Sequence, residues 1–204
     1  MPLPKITTAE YELKLPSSGK TIKYRPFLVR EEKILILSLE SEDRKQITSA
    51  VKQVLKECVL TKGIKVDQLP SFDIEYLFLN VRSKSVGETI DLVVTCGDDG
   101  KTEVPVTIPI DEIKVTKSDD HSPDIELSDG YTVRMKYPSL SQFIENNFSE
   151  VDSDDLVEKS FDMVASTIDM VYNDEEMFSA AECTKKELKD WVETLTSAQF
   201  QKIE

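Results

Sequence analysis

The chain of 204 residues contains one histidine, one tryptophan, three cysteines and only six glycines. Each scarcity removes a class of function. A lone His121 rules out a multi-histidine zinc site, and its place in an acidic loop makes a Ser-His-Asp triad improbable. Cys58, Cys96 and Cys183 are odd in number, widely spaced and lack a CxxC pair. They encode neither a zinc ribbon nor a redox couple, and read as three reduced thiols. The glycines include no GxxxxGK[ST] spacing; Gly97 and Gly100 in "CGDDGK" flank two aspartates that would repel a phosphate. No run approaches the roughly 18 to 20 apolar residues of a membrane span. "MPLPKITTAEYELKLP" lacks the charged-then-apolar order of a secretion signal. The expectation is a protein neither exported by a standard signal nor inserted in a membrane. Basic residues are also short, 25 against 39 acidic, for a formal net charge of −14. With no basic cluster longer than three residues, binding to nucleic acid or to anionic lipid is disfavoured. Such acidity suits solubility or a basic protein partner.

What is present is globular. Hydrophobic residues make up 39% and charged residues 31%, enough for a core under a charged surface. "EYELKL", "PSSGK" and "TIKYRPF" predict an N-terminal hairpin with Tyr11, Leu13 and Leu15 on one face, broken by Pro26. "LVREEKILILSLESED" fits a buried helix or a strand, and Glu31 and Glu32 at its start favour the helix. In "EDRKQITSAVKQVLKECVL", Ile47, Val51, Val54, Leu55 and Cys58 or Val59 recur at helical steps, with Gly63 as the stop. "FDIEYLFLNVRSKS" predicts a third helix, capped by Ser71 and Asp73 and burying Leu77, Phe78 and Val81. Arg82 and Lys84 fall in its last turn and Gly87 ends it. "ETIDLVVTCGDDGKTEVPVTIPI" and "IELSDGYTVRMKYP" each read as a hairpin, so residues 88–136 should be β-rich, with four short strands. From Ser139 the pattern is helical again: a short "LSQFIENNF", then "DSDDLVEKSFDMVASTIDMVYN" with Leu156, Phe161, Val164, Ile168 and Val171. The last helix, "TKKELKDWVETLTSAQFQKIE", opens on a Thr184–Glu187 capping box. The fold class is therefore α+β: an N-terminal β-hairpin, helices, a β-rich middle of short antiparallel strands, and C-terminal helices. It reads as one domain over 1–204, with the polar loop 118–124 as the place to divide it into subdomains 1–117 and 125–204.

Chemistry is sparse. His121 lies in a loop beside Asp119 and Asp120, as solvated histidines do. "DDHSPD", "DSDD" and "NDEE" lack the ligand alternation of an EF-hand loop, and Asp152, Asp154 and Asp155 suit a helix start. "RSKSVGE" gathers two cations and two hydroxyls, but at a helix end, whereas anions prefer a helix start. No catalytic residue, no cofactor and no metal follows.

The segments "MPLPKITTAEYELKLPSSGKTIKYRPFLVREEKILILSLES" and "YLFLNVRSKSVGETIDL" resemble the baseplate hub protein family of T-even-like contractile-tailed bacteriophages. The resemblance implies a non-enzymatic tail protein of the host cytoplasm or the virion, acting in baseplate hub assembly as a structural subunit or an assembly chaperone. Its partners would be other hub or tail proteins, with homo-oligomerisation left open. The alternative is an acidic regulatory module that sequesters a basic partner. Partner-binding candidates are Pro2, Leu3, Pro4 and Lys5 in the proline-rich arm, Arg82 and Lys84 in "RSKSVGE", and Trp191 on the apolar stripe of the last helix.

Overall fold

The computed structural model describes residues 6–119, 121–127, 130–140, 142 and 155–203. Among these are six helices and eight strands, divided between two compact units, Met1–Thr116 and Lys117–Glu204. Asp152, Asp154, the Ser128-Asp129 turn and most of "LSQFIENNF" lie outside the described residues, as do Pro2, Leu3, Pro4 and Lys5.

The first unit opens with the expected hairpin, β1 (Tyr11–Lys14) against β2 (Thr21–Tyr24). Alternation points Leu13, Ile22 and Tyr24 inward, joined by Leu15. Helix α1 (Val29–Glu40) follows, but it is not a buried helix. Its buried residues are Glu31 and Ser38, while Val29, Ile36, Leu37 and Leu39 are exposed. Helix α2 (Arg44–Cys58) is capped by Asp43, whose carboxylate accepts the Lys45 and Gln46 N–H groups, and it buries Ala50, Val54, Leu55 and Cys58. Gly63 is not its stop. The helix ends at Cys58 because Val59 turns extended and bridges Tyr24, and the Leu60 N–H donates to the Lys23 carbonyl at 2.8 Å. The edge of β2 competes successfully for the next backbone groups.

Helix α3 (Ser71–Ser85) buries Ile74, Leu77 and Val81 as its periodicity requires; Phe78 is only half-buried. Its start differs from expectation. Pro70 occupies the cap position with no side-chain cap, and Asp73 does not turn back to the helix. The Asp73 carboxyl group is fully buried and accepts the backbone N–H of Ser17 at 2.9 Å and the Ser17 hydroxyl. A tertiary bond to the β1–β2 turn outbids the local cap. After Gly87 the chain forms an antiparallel ribbon, β3 (Thr89–Thr95) and β4 (Glu103–Pro109). In its turn, Asp99 accepts the Lys101 and Thr102 N–H groups, each at 2.9 Å.

The second unit is a four-stranded antiparallel sheet in the order β5 (Asp124–Glu126), β6 (Thr132–Met135), β7 (Ile168–Tyr172), β8 (Met177–Ser179). Helices α4 (Asp155–Thr167), α5 (Lys185–Glu193) and α6 (Ser197–Ile203) accompany it. The core joins Val133, Val164, Ile168, Val171, Val192 and Ile203. Here the helical reading of "STIDMVYN" fails: α4 stops at Thr167 and the next five residues are strand β7, paired with β6 and β8. Ile168, Val171 and Tyr172 are β-branched or aromatic and fit a pleated central strand better than a fourth helical turn. The Lys136 N–H holds the junction by donating to the Thr167 carbonyl at 2.7 Å. The final helix is also two helices. Thr184 and Glu187 form the expected capping box, and Thr196 and Gln199 form a second one.

Candidate functional site

The two segments that carry the family resemblance meet in the first unit. In "KYRPFLVREEK", Arg25 ends the hairpin and Glu31 sits in the first turn of α1. The Glu31 carboxylate, 1% exposed, accepts from Arg25 at 3.1 Å, from Arg30 Nε at 2.7 Å and from the Leu28 N–H at 2.6 Å. Burial alone would raise its pKa; these donors prevail and hold it down at about 2. Arg25 also donates to the Pro26 carbonyl and faces the Cys58 sulfur at 3.9 Å. Burial pushes the Cys58 thiol up to about 11, so it is an inert core thiol and not a nucleophile.

"RSKSVGE" closes onto the same place. Ser85 Oγ accepts the Phe27 N–H at 3.0 Å and donates to the Val81 carbonyl at 2.6 Å. Lys84 forms an ion pair with Glu88 and lies 5.7 Å from the Tyr11 ring centre. Its hydrogen bond to Glu88 raises the ammonium pKa and lowers that of the carboxylate. Arg82 reaches the Thr89 carbonyl at 3.4 Å. The cations therefore fasten the end of α3 to the root of the β3–β4 ribbon. Both keep some exposed surface, but each is engaged within the fold.

More apolar surface is open than the sequence suggested. Ile90, Leu92 and Val94 stand opposite Ile108, Val106 and Val104, making one ribbon face entirely aliphatic. At its outer part Leu92 is 44%, Val94 48%, Val104 46% and Val106 38% exposed. On α1, Val29, Ile36, Leu37 and Leu39 span a second exposed face. Sequence reasoning missed both. The alternation in "TIDLVVT" and "TEVPVTIPI" around "GDDG" is the signal that could have located the ribbon's aliphatic face, but it does not report that the face stays uncovered.

Trp191 lies in the second unit. It packs against the core with Leu188 and Leu195 and borders an open groove of about 720 Å³. Leu127, Val171 and Phe178 line the same groove. The C-terminal stripe thus docks on its own unit and still shows its rim. Lys189, on the other side of α5, pairs with Glu158 and, at 3.2 Å, with Asp162.

Among the described residues no three His, Cys, Asp or Glu side chains gather as metal ligands. His121 Nε2 lies 2.6 Å from the Tyr137 hydroxyl with the rings stacked, a structural pairing. No helix is long and apolar enough to cross a membrane, among the described residues.

Neither the curated proteins nor the solved structures contain a match to this chain. A family model does match: that of the T4 bacteriophage base plate protein, over residues 8–204. The match spans the Arg25–Glu31 network, the α3–ribbon joint and the whole second unit, so the chain belongs to the T4 bacteriophage base plate protein family.

Proposed function

We propose that this baseplate protein acts in assembly of the central baseplate hub through protein–protein contacts, without a catalytic step. It serves as a structural subunit or as an assembly chaperone. The observation that carries this reading is aliphatic surface left open on regular elements, on α1 and on the β3–β4 ribbon. Contiguous exposed apolar surface on a soluble chain marks a partner site. Its burial is worth roughly 25 cal/mol per Å² of apolar area. Such faces favour hub contact over acidic sequestration, in which carboxylates alone would draw the partner. Partners are other hub or tail proteins, met in the host cytoplasm before the tail is complete. The arm Pro2, Leu3, Pro4 and Lys5, leading to the exposed Ile6, is a further contact of the same kind.

The test is co-expression of the tagged chain with each baseplate protein of the same phage, followed by size-exclusion chromatography. At least one should co-elute, and deletion of residues 2–8 should weaken that complex while leaving the melting temperature unchanged. Failure of every baseplate protein to co-elute would overturn the proposal. The elution volume of the chain alone reports self-association.

A further inference from the structure

The β3–β4 ribbon has two outer edges, and they are not equivalent. Hydrogen bonds from the Ile110 N–H to the Glu88 carbonyl, 2.9 Å, and from the Cys96 N–H to the Thr102 carbonyl, 2.8 Å, set the parity of the ladder. Residues 90, 92 and 94 bond inward to 108, 106 and 104. Thr89, Asp91, Val93 and Thr95 on β3, and Glu103, Pro105, Thr107 and Pro109 on β4, turn their backbone groups outward. Two of the four outward positions on β4 are proline and offer no N–H, the usual blunting of a sheet edge. The β3 edge has no proline, and no third strand pairs with it among the described residues. Among the described residues, the bond shown to its outward backbone groups is that of Arg82 to the Thr89 carbonyl.

A two-stranded ribbon in water is marginal, and a third strand with an apolar face makes a sheet stable. An added strand would be continuous with the uncovered face of Leu92 and Val94 on one side. On the other side it would stand beside Asp91. The ribbon from Glu88 to Ile110 carries Glu88, Asp91, Asp98, Asp99 and Glu103 against a single Lys101. Lys84 meets Glu88 at the root alone. A second copy would set one acidic ribbon against another, in a chain of net charge −14, so like-charge repulsion disfavours self-pairing.

Resting on the hub-assembly reading, we infer that the outer edge of β3 is a strand-addition site for an extended segment of a partner baseplate protein. That segment alternates apolar residues, which continue the Leu92–Val94 face, with basic residues, which meet Asp91. Main-chain hydrogen bonds supply the attachment and the alternate side chains supply the selectivity.

The experiment uses the full chain and each purified baseplate protein of the same phage. Hydrogen exchange at Asp91, Val93 and Thr95 should slow when the cognate protein is added. Val93→Pro removes an outward N–H, as Pro105 does across the ribbon, and should weaken that complex at least tenfold; Val93→Thr, which keeps the N–H, should not. If the proline variant does not fold, Asp91→Lys decides: it should weaken the complex at least several-fold. A baseplate protein that binds without protecting these amides, and binds the Val93→Pro or Asp91→Lys chain as tightly as wild type, overturns strand addition but leaves hub assembly standing. Binding by none of them overturns the hub reading itself. A complex of the chain with itself that Val93→Pro disrupts would replace the partner strand by a second copy.

Discussion

Glu31 shows how one side chain can decide a local structure. It reaches back to the Leu28 N–H, as the third residue of a capping box does, and at the same time neutralises the buried Arg25. Glu31→Gln would leave that guanidinium without a counter-charge, which costs about 3 kcal/mol. Urea denaturation at pH 7 should read this as a lowered midpoint. The carboxyl has its folded pKa depressed from 4.5 to about 2. Its contribution is therefore full above pH 4.5 and is lost as pH falls through the folded value. The stability gap between wild type and Glu31→Gln should close between pH 4.5 and 2, and a gap that stays constant would contradict the ion pair. The sequence revealed Glu31 as an acid near a helix start, which is local information. That the same carboxylate meets Arg25 depends on how the chain passes from the end of β2 to the start of α1, and composition does not report that.

Elements were legible where one period ran without a competitor. The hairpin "EYELKLPSSGKTIKY", helix α2 and the "CGDDGK" ribbon all formed near their expected bounds. Errors came where tertiary pairing took over. Val59 left its helix for the edge of β2, and "IDMVY" left α4 for the centre of a sheet. The second capping box was visible in "TSAQ", with Thr196 and Gln199 at the right spacing, and its meaning is a new helix start. Thr196→Ala should cost about 1 kcal/mol by removing this cap. Hydrogen exchange in α6 should quicken while that in α5 stays near its wild-type rate. Equal acceleration in both helices would mean that they behave as one.

At the scale of the whole molecule, the chain groups into the units Met1–Thr116, with two two-stranded sheets, and Lys117–Glu204, with one four-stranded sheet, and each has its own helices. We propose that they are separable folding units. Limited trypsin treatment should cut after the exposed Lys114 or Lys117 and yield two fragments. Each fragment should retain a dispersed amide NMR spectrum. Collapse of either one after cleavage would argue for a single cooperative domain. The candidate surfaces belong to this scale as well, because exposure is a property of the packed object and not of a segment.

The sequence by itself determined the α+β class, the absence of a multi-histidine or CxxC ligand set, and most element positions, because periodicity, caps and turn residues act over a few residues. Two segments in it also carried the resemblance to a baseplate family. Only the tertiary structure decided that Asp73 serves the β1–β2 turn, that Ser85 joins "RSKSVGE" to "KYRPF", and that β7 is a strand. It also left the aliphatic faces of α1 and the ribbon open. Those outcomes turn on which distant group offers the better hydrogen bond or the drier contact, and one-dimensional spacing carries no record of that competition.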